Sequence, residues 1–226
     1  MNNISIIIPV LNEEATITKL LLHLKTHAIT KSVIEVIIVD GGSTDHTIKL
    51  AKKGGATVLS TTKGRAKQMN HGVKYAKGDI LYFLHADSLP PLGFDESILN
   101  QTKKAGCFKM KFNSNHWWLK LAGWLTQFNW RASRGGDQSL FVSKDIFNQL
   151  GGYDEAFTIY EDIDFINKLY KINEFTVIKR WITTSARRYN KNGIWKLQRH
   201  FWTIYVKKWF GASAKDLHQY YIKHIH

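Results

Sequence analysis

The sequence predicts an open α/β sheet carrying a basic, aromatic C-terminal extension. Three observations point there. Short β-branched runs alternate with helical patterns through the first half. Glycines fall where those helices should stop. The last fifth of the chain concentrates both positive charge and aromatic rings.

The first strand is read from Ser5-Ile-Ile-Ile-Pro9, and the next three from Glu35-Val-Ile-Ile-Val-Asp40, Thr57-Val-Leu-Ser60 and Ile80-Leu-Tyr-Phe-Leu84. Near-continuous apolar runs of this length suit strands buried on both faces, as in a parallel sheet. Helical patterns cover roughly 13–27, 44–53 and 65–76, and Gly54-Gly55 and Gly78 end the last two. The alternation implies right-handed crossovers. Strands over 106–112 and 138–142 are expected further on, with helices over 143–150 and 161–173 and a long aromatic helix over 194–210.

With 226 residues, 44% of them hydrophobic, the chain can bury a sizeable core in one domain. Its single cysteine, Cys107, excludes an internal disulfide framework and points to the reducing cytosol. No signal peptide is evident, and no apolar run reaches the length of a membrane span. The net charge is 32 − 18 = +14. Residues 1–90 hold 11 basic and 7 acidic side chains, whereas 176–226 hold 11 basic side chains and only Asp216. Such an excess suits nucleic acid, an anionic membrane or an anionic small molecule.

Ligands of open α/β sheets gather beyond the carboxyl ends of the strands. Those ends read Pro9-Val-Leu-Asn12-Glu13-Glu14, Asp40-Gly41-Gly42-Ser43-Thr44-Asp45 and His85-Ala86-Asp87. Helix capping would account for Asn12 and Asp45. Asp40 closes an apolar run before two glycines, where a carboxylate can meet a base and ribose while the backbone comes close. His85 and Asp87 are compatible with a divalent cation bridging phosphates.

In order, Ile7-Ile-Pro-Val-Leu-Asn-Glu-Glu14, Ile38-Val-Asp-Gly-Gly-Ser-Thr-Asp45, Gly64-Arg65 with Gln68-Met-Asn-His-Gly72, Ala76-Lys-Gly-Asp79 and Leu84-His-Ala-Asp87 resemble the GT-A-fold glycosyltransferases of family 2. The resemblance runs to about residue 195. It looks greatest toward a small bacterial subgroup associated with radical-SAM and selenium-domain proteins. It implies a nucleotide-sugar donor, UDP-linked, bound by the N-terminal half. Pro9, Asn12, Glu13, Asp40, Gly41 and Gly42 would meet the nucleotide. Gly64, Arg65 and Asn70 would line the same pocket, with Arg65 near phosphate. His85, Ala86 and Asp87 would occupy the family's Asp-x-Asp position, Asp87 holding Mn²⁺ or Mg²⁺, and His85 either ligating it or hydrogen-bonding the donor.

Tyr160-Glu161-Asp162-Ile163-Asp164-Phe165 offers three acids at a helix start. At about 100° per residue, Asp162 falls among the apolar residues Ile163, Phe165, Ile166 and Leu169, Glu161 at their edge, and Asp164 opposite, four residues before Lys168. The inward carboxylate, Asp162, is the candidate base, and the family's Glu-Asp motif matches Glu161-Asp162. An N-terminal cap is the competing account. Asp137 and Gln138, after Gly135-Gly136, are candidates for sugar contacts, though a simple turn would explain them too. Arg187 and Arg188 suit a diphosphate.

Three units follow: a nucleotide-binding half (1–90), an acceptor and catalytic half (91–193), and the extension (194–226). Within the extension Lys196, Arg199, His200, Thr203 and Lys207 are read as a polar stripe, and the aromatics as packing against protein or lying on an anionic bilayer. The expected enzyme is an inverting, metal-dependent, cytoplasmic glycosyltransferase, with an acceptor hydroxyl that a lipid could carry and peripheral membrane contact as an option. A nucleic-acid-binding module, a nucleotidyltransferase and an inactive scaffold are the rivals. No zinc-finger spacing or RNP-like motif supports the first, so nucleic acid is not expected as a partner.

Overall fold

Strand β1 (Ile4–Val10) is buried along its length except at Pro9, as a strand covered on both faces must be. The computed structural model describes residues 2–135 and 138–225. From β1 the chain runs through α1 (Glu14–His27), β2 (Val33–Asp40), α2 (Thr47–Lys53), β3 (Thr57–Ser60), α3 (Arg65–Tyr75) and β4 (Ile80–Phe83). These four strands lie parallel in the order β3-β2-β1-β4, as the alternating pattern predicts.

The second half adds β5 (Ser88–Leu89), α4 (Phe94–Leu99), β6 (Ala105–Phe112), α5 (Trp117–Leu125), β7 (Leu140–Ser143), α6 (Lys144–Gln149), α7 (Glu161–Lys171) and β8 (Phe175–Thr184). They extend the sheet to eight strands, β3-β2-β1-β4-β7-β6-β8-β5, with β7 antiparallel to both β4 and β6. Strands β5 and β8, and helices α4 and α5, go beyond the sequence reading. Lys179 and Arg180 interrupt the apolar pattern of β8, and its pairing with β6 shifts register at Phe108/Lys109.

Two cores flank the sheet. On one face Leu20, Leu24, Phe94 and Ile98 pack onto Ile4, Ile6 and Ile8. On the other, Met69, Phe147, Phe165 and Leu169 pack onto Ile7, Ile37 and Val39. Burying each such side chain contributes roughly 1.5–3 kcal/mol before chain entropy is subtracted.

Beyond β8 lie three helices, α8 (Arg187–Asn192), α9 (Ile194–Trp209) and α10 (Ala214–Ile225); α9 is the expected aromatic helix, while α8 and α10 go beyond the sequence reading. A third core joins them to α5 through Leu119, Tyr189, Leu197, Ile204, Leu217 and Ile225. His200, read as part of a polar stripe, is instead buried and hydrogen-bonded through Nδ1 to the Tyr220 hydroxyl at 2.8 Å. Tyr205 of α9 reaches the sheet side, its ring 5.8 Å from that of Tyr160 and its hydroxyl donating to the Arg134 carbonyl at 3.3 Å.

Candidate active site

The carboxyl ends of β1 and β2 are tied by one buried amide. Gln68 Nε2 donates to the Val10 carbonyl at 2.9 Å and to the Val39 carbonyl at 2.7 Å. Gly41 leaves room for it, since a Cβ there would lie 3.1 Å from the Gln68 side chain. The loops beyond are cross-linked: Asn12, at φ 55°, accepts from Thr44 N at 2.8 Å, and its own N–H donates to Ser43 Oγ at 2.9 Å. The buried Asp40 carboxylate accepts from Gly42 N and Ser43 N at 2.9 and 3.1 Å, which fixes the turn; Gly42 sits at φ 99°.

The end of β4 turns sharply, Ser88 N bonding to the His85 carbonyl at 3.1 Å, and β5 then pairs with the end of β8. This pairing puts Asp87 beside Arg187, three residues past Thr184. Arg187 forks onto Glu13, with Nη1 2.8 Å from Oε2 and Nη2 bonding Oε1, and its Nε lies 3.5 Å from Asp87 Oδ2. The hydrogen bonds it donates to the Glu13 carboxylate chiefly hold the guanidinium pKa up, against the opposing effect of burial.

Across the cleft, α3 begins after Gly64, whose φ of 146° suits glycine alone, and so presents Arg65. Arg65 Nη2 donates to Asp162 Oδ2 at 2.9 Å and meets the His85 ring, 2.9 Å from Nε2. Its Nε is 3.3 Å from Glu161 Oε1. Glu161 is 2% exposed and Asp162 7% exposed, so both acids of the pair point inward. The wheel had placed Glu161 at an edge. Burial in this first turn extends beyond the apolar stripe, because Arg65 lies against both acids. Asp164 pairs with Lys168 at 3.3 Å, as the spacing predicts. Tyr160, preceding the helix, adopts φ 76°, an unusual conformation for a tyrosine.

Several predicted residues stand elsewhere. Ala86 is buried in the sheet core. Asn70 fixes the loop before α7, donating to Tyr153 O at 2.9 Å and accepting from Tyr153 N at 3.1 Å. Gln138 is buried beside Cys107 and donates to Ser133 O at 3.3 Å. Arg188 turns away from the cleft to Tyr221 Oη, at 2.6 Å, and to the Phe201 ring. Pro9 is partly buried in β1, and Asp137 lies outside the described residues.

The sequence reading overlooked Gln68 as a structural tie and Tyr153 altogether. Tyr153 packs on Phe83 and Phe165. Burial, then the charges of Asp162 and Glu161, push its phenol well above the ordinary value. Its position after Gly151-Gly152 is the one sequence cue near it, and that cue signals a turn.

Among the described residues no three His, Cys, Asp or Glu side chains cluster as a metal cage. Asp87, with Arg187 Nε 3.5 Å from it, is a single carboxylate, so a cation held there would take its other ligands from substrate oxygens or water. The His85 ring faces Arg65.

The sequence pattern of glycosyl transferase family 2 matches residues 5–136. A Methanococcus voltae protein, dolichyl N-acetyl-alpha-D-glucosaminyl phosphate 3-beta-D-2,3-diacetamido-2,3-dideoxy-beta-D-glucuronosyltransferase, is 36% identical over 102 residues, covering 42% of this chain and 32% of that protein. An uncharacterized glycosyltransferase of Haemophilus influenzae is 28% identical over 192 residues, 78% of this chain and 65% of its own. The chain thus spans less than two thirds of either relative. Among solved structures, Staphylococcus aureus TarS residues 1–349 with UDP superposes at TM-score 0.68, with 21% identity, over 81% of this chain and 60% of that one. Glucosyl-3-phosphoglycerate synthase of Mycobacterium tuberculosis with Mn²⁺, UDP and glucosyl-3-phosphoglycerate superposes at 0.60, with 19% identity, over 80% and 70%. Such likeness identifies the fold as GT-A. As the matched segment exceeds half of its length, the chain belongs to glycosyl transferase family 2.

Proposed function

We propose that the protein moves a sugar from a nucleoside-diphosphate donor, UDP-linked, to an acceptor hydroxyl with inversion, and that Asp162 is the general base. The observation that carries this reading is the convergence of Asp162 and Glu161 with Arg65, His85, Asp87, Glu13 and Arg187 at one end of the parallel strands. Residues 1–90 would bind the nucleotide and 91–193 the acceptor, with 194–226 as the extension. The Gly64-Arg65 with Gln68-Met-Asn70 and His85-Ala-Asp87 variants are what supports a place in the radical-SAM-associated subgroup.

In this reading Asp162 takes the proton of the acceptor hydroxyl as its oxygen bonds to the anomeric carbon, while the bond to the diphosphate breaks and its electrons leave with the phosphate oxygen. Arg65 now holds Asp162; a donor diphosphate is a competing anion that would draw the guanidinium off and release the base. Arg187 stands on the opposite side as a second guanidinium for the leaving group. Five carboxylates (Glu13, Asp40, Asp87, Glu161, Asp162) outnumber the two guanidiniums, so the site repels a bare diphosphate. A divalent cation, Mg²⁺ or Mn²⁺, held by Asp87 would neutralise the diphosphate when bound. That negative balance also speaks against nucleic acid as the ligand of this cleft.

The test is a thermal-shift panel of nucleoside diphosphates and their sugars with and without Mn²⁺, followed by transfer assays. Stabilisation by UDP that needs the metal and disappears in Asp87→Ala is expected. Asp162→Asn should keep donor binding and lose transfer. An Asp162→Asn enzyme with near-normal turnover would refute the base assignment.

A further inference from the structure

Helix α9 carries two apolar stripes on roughly opposite sides. Leu197, His200 and Ile204 face the third core. At about 100° per residue, Trp195, Trp202, Val206 and Trp209 fall on the other side with Arg199 among them, and all five are exposed. Helix α5 repeats the arrangement: Leu119 and Gly123 are buried, while Trp117, Leu121 and Trp124 stand out at the same i, i+4, i+7 spacing. The two outward stripes meet, since the rings of Trp117 and Trp195 lie 5.8 Å apart and those of Trp118 and Trp202 5.7 Å apart. At the far end of α9, Trp209 and Phe210 are 85% and 82% exposed. An amphipathic helix of a globular domain needs one apolar stripe; the second stripes of α5 and α9 meet each other and together stay exposed.

The chemistry around this surface selects its occupant. Lys120, Lys191, Lys196 and Arg199 are exposed on the same two helices or at their ends, with no carboxylate on either helix. The segment 176–226 carries 11 basic side chains against one acid. A second copy of the chain would bring the same positive charge to the contact and repel it. Tryptophans bordered by lysine and arginine suit the headgroup layer of an anionic bilayer, where the indoles sit at the apolar boundary and the cations meet phosphates. No described helix is long and apolar enough to cross a membrane, so the contact lies along the surface.

We infer that the outer faces of α5 and α9 form a docking surface for an anionic lipid bilayer. This surface stands independently of the reading of the cleft.

Flotation of the full chain with vesicles of phosphatidylcholine and phosphatidylglycerol, beside vesicles of phosphatidylcholine alone, tests it. Binding to the mixed vesicles is expected, with weaker binding in high salt and a blue shift of tryptophan emission. The double variant Trp209→Ser, Phe210→Ser should partition about tenfold more weakly, because both rings project from the fold. Its thermal midpoint should be unchanged, and Arg199→Glu, Lys196→Glu should also release the protein. Absence of flotation, or flotation indifferent to all four substitutions, would overturn the inference. So would a stable dimer that the Trp209→Ser, Phe210→Ser variant dissociates, or capture of an oligonucleotide in place of vesicles.

Discussion

Arg65 Nη2 donates to Asp162 Oδ2 at 2.9 Å across a sequence separation of 97 residues, joining the start of α3 to the start of α7. The same guanidinium reaches Glu161, whose two carboxylate oxygens are buried without a hydrogen bond. The helix that carries the acids is thus pinned by a cation from the N-terminal half of the chain.

Loss of Arg65 leaves Glu161 as a buried charge without its counter-ion. Arg65→Ala should destabilise by about 1–3 kcal/mol, below the full cost of breaking a buried pair because the arginine side chain is 34% exposed. Lysine offers no fork to span two carboxylates, so Arg65→Lys should recover only part. Urea unfolding of the three proteins measures this, and equal midpoints would contradict it.

Adjacent arginines should behave differently. Arg187→Ala removes the side chain bonded to Glu13 and near Asp87, and should raise the donor KM by roughly tenfold. Arg188→Ala should leave that KM alone and lower the thermal midpoint, because its contacts are with Tyr221 and Phe201. Steady-state kinetics beside a melting curve separates the two effects.

Removal of the Gln68 amide takes one donor from each of the carbonyls ending β1 and β2, and Val10 O keeps only the Gly41 N–H at 3.0 Å. Gln68→Ala should destabilise by about 1–3 kcal/mol, the penalty of a weakened buried hydrogen-bond set. Denaturant midpoints check the magnitude, and amide exchange in residues 40–43 should quicken with it.

Acid should loosen the extension before the sheet. Burial chiefly, then the positive charges of Arg199, His224 and Lys196, hold the His200 pKa below its ordinary 6.5. The unfolded chain therefore takes up the proton first. The stability that neutral His200 contributes is complete above pH 6.5 and is lost as pH falls through the lower folded value. His200→Gln should flatten the midpoint between pH 7.5 and pH 5, as differential scanning fluorimetry would show; an unchanged slope would count against it.

The N-terminal half was legible because its strands are short apolar runs and α2 stops at Gly54, although α3 ends at Tyr75, capped by Ala76, three residues before Gly78. Strand β8 was not, since Lys179 and Arg180 break its pattern on a face that is partly exposed. Helix α10 buries little beyond Leu217 and Ile225 and so looks polar. The strand-end motifs marked the cleft, yet a motif names a residue without saying which partner it meets. Arg65 was expected near phosphate, and its bonds to Asp162 and His85 depend on contacts 97 and 20 residues away in sequence. The resemblance put Asn70 in the pocket and the paired guanidiniums suggested Arg188, but neither cue could give their partners in the fold, Tyr153 and Tyr221.

Tyr205 gives the C-terminal helices a mechanical connection to the chemistry. Its ring bears on Tyr160, the left-handed residue that launches the acid-bearing helix, and its hydroxyl bonds the backbone at Arg134. A displacement of α9 therefore reaches the start of α7 and the backbone at Arg134 together, so the setting of the acid-bearing helix is tied to that of the C-terminal helices.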